Sequence, residues 1–493
     1  MDRYPRLFQW FMITAVTTAV TSIAEPIKLH PENPRWFEWQ GEATALITSA
    51  EHYGAVINLD FDYHTYLAAL ERDGMNYTRI FAGTYVEPAG AFNIEQNTLA
   101  PAEGRFLAPW ARSDEPGYAG GGNKFDLDQF NPAYFERLND FIATAAKHNV
   151  IVELTFFSST YRDAQWAMHP FNPANNIQSI DVPDWKKLPT TANGPEVMAI
   201  QEKLVRRVVR ELNAHDNLFY EIQNEPWSDN HTFGADINPM VPERNKWFNT
   251  TEMTTAEAIA WQRRITGFIT DEEKDLPQTH LIAQNVANFR LPVHPDDIAP
   301  EISIINFHYA YPEAVSWNRG QNRVIGYDES GFMGSEGITY RRQAWNFVMS
   351  GGGLFNNLDY SFFVGSEDGK TTDYQAPGGG GPALRQQLRT LSEFLHSVDL
   401  ATLHPDNDLV QASPGLVARV LSAPGAHYLV YLEGRTAEQI HVNLPEGNWR
   451  VQWIDPVSSS PLSQYVIKAT TPVTTLHSPD FESEAAVRIV RSP

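Results

Sequence analysis

The stretch Leu218-Phe219-Tyr220-Glu221-Ile222-Gln223-Asn224-Glu225-Pro226-Trp227 decides the fold. Residues 218–223 are mostly aromatic and aliphatic, too few for a helix and free of turn residues, so they read as a strand buried on both faces. The run ends on the polar pair Asn224 and Glu225 and is broken at Pro226. Upstream, Pro195 opens a helix whose Val197, Leu204, Val208 and Leu212 form one apolar stripe. A stripe of this kind packs on a buried parallel strand, and the number of such units decides whether the sheet is open or closed.

The unit recurs on both sides. Toward the N-terminus, 45–49 reads as a strand, and a helix over 62–73 presents Tyr63, Tyr66, Leu67 and Leu70 on one face and stops at Gly74. Residues 76–81 form the second strand. Asn131-Pro132 starts a helix carrying Tyr134, Leu138, Phe141, Ile142 and Ala145, and 150–157 is the third strand. Toward the C-terminus, 281–285, 302–307, 324–327 and 354–358 are strands separated by stretches long enough for helices. A last helix bears Leu384, Leu388, Leu391, Leu395 and Val398. Eight strand-helix units predict an α/β fold, a (β/α)₈ TIM barrel over 25–402 enlarged by insertions.

Residues 403–493 change to short alternating runs (416–421, 427–432, 451–454, 487–490) around the turn Pro445-Glu446-Gly447-Asn448, which predicts a small C-terminal β-sandwich. Trp449 and Trp453 there share a face, either packed on the barrel or forming a sugar platform. Three long connections, 82–130, 158–194 and 227–253, follow strands two, three and four, on the side where such a barrel keeps its active site. Their Trp110, Trp166, Trp185, Trp227 and Trp247 suit the stacking of sugar rings, and equally the packing of the loops themselves.

Composition removes several classes of function. Among 493 residues, 37 Lys+Arg stand against 60 Asp+Glu, a net charge of −23 without a basic run, which excludes nucleic acid and anionic membrane as expected partners. With no cysteine there is no disulfide, thiolate nucleophile, Cys-bound zinc or iron–sulfur cluster. Arg3 and Arg6 precede an apolar run over 7–20, and Ser22-Ile23-Ala24 offers small residues where a signal peptidase reads. Residues 1–24 are therefore expected to be a signal peptide, the mature chain starting near Glu25 in a secreted or periplasmic protein. The apolar run is too short for a permanent anchor. His52, His308 and several carboxylates could converge, but the sequence holds no His-x-x-x-His or calcium-loop spacing. The glycine runs Gly120-Gly121-Gly122 and Gly378 to Gly381 lack the flanking residues of a phosphate loop, so no metal or cofactor is expected.

Two carboxylates stand at strand ends. Glu225 closes strand four and Glu329, in Val324-Ile325-Gly326-Tyr327-Asp328-Glu329-Ser330-Gly331, closes strand seven. Cleavage of a glycosidic bond needs such a pair, one acid to protonate the leaving oxygen and one carboxylate to attack or stabilise the anomeric carbon. On FYEIQNEP and VIGYDESGF, residues 35 to 400 resemble glycoside hydrolase clan A, the retaining, cellulase-like (β/α)₈ glycosidases. The resemblance implies Glu225 as acid/base, Glu329 as nucleophile and Asn224 as the ligand of a sugar 2-hydroxyl. The C-terminal VARVLSAPGAHYLVYL and NWRVQWIDP resemble the collagen-binding-type β domain that follows some of these barrels.

Physical chemistry adds partners. Glu225 has to keep its proton near neutral pH, which burial and the charge of Glu329 favour. Glu329 has to stay ionised, and Arg79 with either Tyr309 or Tyr311 is the candidate donor set, clan A enzymes keeping an Arg and a Tyr in such places. Strand six, with His308 beside Tyr309, departs from the clan's His-x-Tyr spacing. Strand eight ends in Asn357 and Asp359, candidates to grip sugar hydroxyls, rather than in a tryptophan floor. Glu51 and His52, ending strand one, either bind sugar or pin the first loop, and Trp227 is a candidate stacking surface. Glu153 in strand three is a further candidate to face substrate. Asp328 is expected to point away from Glu329's side by strand alternation and to be structural. The expected function is a retaining glycoside hydrolase acting on an equatorial bond, β-D or α-L-arabino, of a glycan, with a lean toward exo action. The alternative is a non-catalytic carbohydrate-binding protein on the same barrel.

Overall fold

The computed structural model describes residues 25–228, 231–238, 240, 248–435 and 439–492. The expected signal peptide and Trp247 lie outside the described residues. Eight strands, β1 (Leu46–Ala50), β2 (Tyr77–Phe81), β3 (Ile151–Ser158), β4 (Leu218–Asn224), β5 (Ile282–Asn288), β6 (Ile304–His308), β7 (Val324–Ser330) and β8 (Leu354–Leu358), form a parallel sheet. Their order is β1-β8-β7-β6-β5-β4-β3-β2, one step short of a closed ring. The side chain of Asn76 bridges that step: its Oδ1 accepts from the Ile47 amide at 2.9 Å and its Nδ2 donates to the Ala45 carbonyl at 2.9 Å.

Among the described residues, seven helices cover the outside, α1 (Tyr63–Asp73), α2 (Pro132–Lys147), α3 (Gly194–Leu212), α4 (Ala256–Glu273), α5 (Pro312–Asn318), α6 (Gly337–Val348) and α7 (Pro382–Leu395), and a short helix, Asp163–Met168, lies in the connection after β3. Their ends carry the signals read in the sequence. Asp62 caps α1 by accepting from the amides of His64 and Thr65, and Gly74 ends it at φ 77°. The expected helix between strands five and six is absent; a 3₁₀ turn, Pro295–Asp297, takes its place. The stretch there is rich in Pro and Asp, which breaks helical periodicity.

β5 and β7 continue through polar residues that read as loop, because the upper half of the barrel interior is itself polar. Its lowest layer is apolar: Leu46, Tyr77, Ile151, Phe219, Ala283, Ile304, Val324 and Leu354 pack together over Ile27 and Phe37 from the N-terminal segment. Above them Arg79, Glu153, Glu221, Asn285 and Asn306 are fully buried. Gly326 makes room for this layer, since a Cβ there would lie 2.1 Å from Asn306 Oδ1. Each polar group in such a layer must be bonded or proton-matched to be tolerated, so the interior is committed to a fixed arrangement of donors and acceptors.

C-terminally, a six-stranded and a three-stranded antiparallel sheet follow from His404 onward. Trp449 and Trp453 are fully buried in this domain's own core, against Tyr428 and Phe481, so the indoles neither rest on the barrel nor offer a sugar platform. Contacts with the barrel include Tyr431, stacked on Trp345 at 5.1 Å, and the buried pair Arg341 and Glu484 at 2.5 Å.

Candidate active site

A cavity of about 350 Å³ opens at the C-terminal ends of the strands, with Glu225 and Glu329 in its wall. An oxygen of each lies within 4.8 Å of the other and of a His308 ring nitrogen. Their surroundings differ in kind. Glu329 accepts from Tyr309 at 2.7 Å and Tyr53 at 2.9 Å, and lies 3.6 Å from the Arg79 guanidinium. Burial alone would raise its pKa. The charges of His308 and Arg79 and the hydrogen bonds from His308 and Tyr309 outweigh that and hold it at about 2, so Glu329 is an anion at neutral pH.

Glu225 meets Tyr161 OH at 3.0 Å and Ser228 Oγ at 2.9 Å, with His308 Nδ1 2.9 Å from its other oxygen. A hydroxyl can donate to a carboxylate or accept from a protonated carboxyl, so Tyr161 and Ser228 suit either state of Glu225. A guanidinium serves the anion alone. His308 is buried between Glu225 and Glu329, with Nε2 3.4 Å from Asp328. Burial would lower its pKa, but the charges of Glu329 and Asp328 raise it well above the ordinary value.

Beneath the cavity, Arg79 is ion-paired with Glu221, which also accepts from Thr155, Asn285 and Asn306. Glu153 bonds Tyr77 and Asn306 and lies outside the cavity wall. Asp328 turns inward rather than away, to Asn285 at 3.1 Å and Arg79 at 3.4 Å. The ladders on both sides of β7 shift register here, so alternation fails and neighbours 328 and 329 both face the interior, Asp328 below the wall. Among the described residues, two groups of side chains bring metal-ligand atoms within 4.8 Å of one another, Glu225 with His308 and Glu329, and Glu153 with Glu221 and Asp328.

The buried acids set a pH dependence. Burial pushes Glu51 and Glu221 up to about 7, and burial with the charge of Glu225 does the same to Glu252. Between the ordinary 4.5 and about 7 the folded chain holds protons that the unfolded chain has released, so this stability is complete below 4.5 and lost as pH rises through 7. Glu51 alone accounts for about 3 kcal/mol. Glu329 works oppositely, its contribution present above 4.5 and lost as pH falls toward 2. Thermal melts are expected to give a Tm several degrees higher at pH 5 than at pH 7.5; a Tm that rises over that interval contradicts the assignment.

Of the residues expected from sequence, Glu225, Glu329, Asn224, His52, Trp227 and Tyr309 line the cavity. Tyr309, not Tyr311, reaches Glu329; Tyr311 is 41% exposed outside the cavity. His308 and Arg79 are buried behind the wall. Glu51 is turned back on its own loop and accepts from the amides of Gly54 and Ala55, so it pins the loop rather than facing a sugar. Asn357 and Asp359 also point elsewhere: Asn357 donates to Ser49, and Asp359 accepts from Arg385 at 2.6 Å and from the Gly381 amide. Sequence reading missed Tyr53, Tyr161, Ser228, Glu252, Phe92 and Phe332 in the wall. Ser228 had a signal, three residues past Glu225 in the turn that Pro226 begins.

Glu225 (φ 48°) and the three tyrosines bonded to the two carboxylates, Tyr53 (58°), Tyr161 (65°) and Tyr309 (52°), share a backbone feature: all four are in the left-handed region. Each costs about 1–3 kcal/mol and turns its side chain back over the strand ends toward the carboxylates.

No protein-family model and no curated protein sequence matches the chain. Solved structures do. A candidate glycoside hydrolase from Bacteroides vulgatus superposes with a TM-score of 0.66 at 12% identity, covering 95% of this chain and 82% of that one. A glycoside hydrolase family 5 structure from the same organism gives 0.61 at 10% identity, covering 95% and 96%. A further structure described as a glycoside hydrolase gives 0.59 at 12% identity, covering 95% and 97%. At these identities the likeness is one of fold: the TIM barrel with its C-terminal β domain.

Proposed function

We propose that the protein is a retaining glycoside hydrolase that cleaves an equatorial glycosidic bond in a glycan, with Glu225 as acid/base and Glu329 as nucleophile. One observation carries the reading: two carboxylates at the ends of β4 and β7 have oxygens within 4.8 Å of each other, Glu225 among Tyr161, Ser228 and His308 and Glu329 held as an anion beside Arg79. Retaining enzymes hold their pair about 5–5.5 Å apart, whereas inverting enzymes need about 6.5–9.5 Å to admit a water. Attack by Glu329 forms a glycosyl-enzyme bond as the exocyclic C–O bond breaks and Glu225 gives its proton to the leaving oxygen. Water, deprotonated by Glu225, then releases the sugar with its original anomeric configuration. The leader-like residues 3–24 support action outside the cytoplasm.

The mouth favours exo action. Phe92, from the loop after β2, meets Phe332, from the loop after β7, at 6.4 Å, edge to face. The Glu95 amide donates to the Gln375 carbonyl at 3.0 Å, tying the β2 loop to the β8 loop. Together they wall the cavity over β1, β2, β7 and β8, so a chain end fits and a continuous polymer does not pass on that side. The test is a screen of defined neutral oligosaccharides with chromatography of the earliest products. Monosaccharide is expected from the first minutes; an early ladder of intermediates overturns exo action, and hydrolysis of no glycan overturns the enzyme reading.

A further inference from the structure

We propose that a second cavity, between the β6 and β7 loops and the C-terminal domain, binds the leaving portion of the substrate, a chain of neutral sugar residues. The inference rests on the glycosidase reading and specifies where the rest of its substrate lies. The cavity measures about 400 Å³ and is lined by Phe289 and Tyr311 beyond the strand ends, Met333 and Ile338 at the start of α6, and Arg419 and Glu433 from the C-terminal sheet.

Three observations join it to the catalytic cavity. Tyr309 lines both, its hydroxyl on Glu329 and its residue forming part of the second wall. Phe289 continues the aromatic surface outward, 6.3 Å from the Tyr309 ring and 6.0 Å from that of Tyr311. The bridges from Phe92 to Phe332 and from Glu95 to Gln375 close the opposite arc, which leaves the side over β4 to β6 as the exit among the described residues.

The lining chemistry fits uncharged sugars. Tyr311 in the wall remains 41% exposed, a flat face that stacks on the C–H face of a pyranose, and outside the lining Trp317 is 45% exposed, the Arg290 guanidinium lying 5.5 Å and 5.6 Å from the two rings. At the far end Arg342 is paired with Glu433 at 3.5 Å, and Arg419 donates to Asn346 at 3.3 Å. Fixed donors and acceptors that are already mutually oriented read hydroxyls without calling for a charged ligand. The C-terminal domain thereby contributes part of the substrate surface, which gives its placement against α6 a role beyond covering the barrel flank.

The test compares two substrates of whichever sugar the wild type cleaves: the 4-nitrophenyl monoglycoside, whose leaving group is a single ring and extends least toward the second cavity, and the tetrasaccharide, whose leaving group is a chain of sugars that fills it. Tyr311→Ala, Arg419→Ala and Ile338→Asp are measured on both. Ile338→Asp places an acid in the first turn of α6, where the helix dipole favours it, and so preserves the fold while replacing an apolar contact in the cavity wall by a charge. About a tenfold loss in kcat/KM on the tetrasaccharide, carried by KM, is expected for Tyr311→Ala and Ile338→Asp, with a smaller loss for Arg419→Ala and activity on the monoglycoside within about twofold of wild type. Equal losses on both substrates, or none on the tetrasaccharide, overturn the proposal. A wild type inactive on every glycoside overturns the hydrolase reading and this inference with it, a result distinct from either of those.

Discussion

Glu329→Gln is expected to lower kcat/KM by about 10⁴-fold or more on any glycan that the wild type cleaves, because the amide keeps the shape of the side chain and removes its nucleophilic charge. Tyr53 and Tyr309 bond different oxygens of the carboxylate, so in the variant one hydroxyl donates to the amide oxygen and the other accepts from the amide N–H; the variant should fold and bind substrate, and its thermal melt is the control. Glu225→Gln should behave differently. A leaving group that departs without protonation, such as dinitrophenolate, bypasses the acid, so first-step activity on dinitrophenyl glycosides should fall far less than activity on oligosaccharides. Proton NMR of the first-formed product should show the original anomer. An inverted anomer, or turnover by Glu329→Gln at the wild-type rate, removes Glu329 from the nucleophile's role.

Arg79→Met carries the second large effect. The guanidinium is wholly buried and lies against Glu221, Asp328 and Glu329. Methionine fills much of the volume but leaves a cluster of carboxyls without its resident cation. Breaking a buried pair by removing one partner costs about 3–5 kcal/mol. The loss should be largest at pH 7.5 and smaller at pH 5, where Glu221, already pushed up to about 7, takes a proton instead. Denaturant unfolding at the two pH values measures both; a destabilisation independent of pH would mean that packing, not charge, is what Arg79 supplies.

The barrel was legible because its strands are apolar runs between amphipathic helices, and Glu225 and Glu329 were legible because they end two of those strands. Their partners were not. Tyr53 and Tyr161 lie in irregular segments after β1 and β3, and left-handed backbone aims them back at the carboxylates, an orientation that neither helical nor strand periodicity encodes. Position at a strand end also misled. Asn357 and Asp359 end β8 much as Glu329 ends β7, yet Arg385 and the Gly381 amide, contributed by α7 and the segment before it, draw Asp359 away from the cavity. Glu51 was the same case in miniature, its destination decided by two backbone amides of its own loop.

The left-handed residues around the cavity also constrain how this chain can change. At Tyr53, Tyr161, Glu225 and Tyr309 a glycine would relax the backbone and delete the very hydroxyl or carboxylate the position exists to aim. Selection for heat endurance and selection for turnover therefore pull these four codons in opposite directions. A lineage moving to a hotter habitat would have to find its gains elsewhere, on the helices and the C-terminal sheets, while these four sites stayed costly and unchanged.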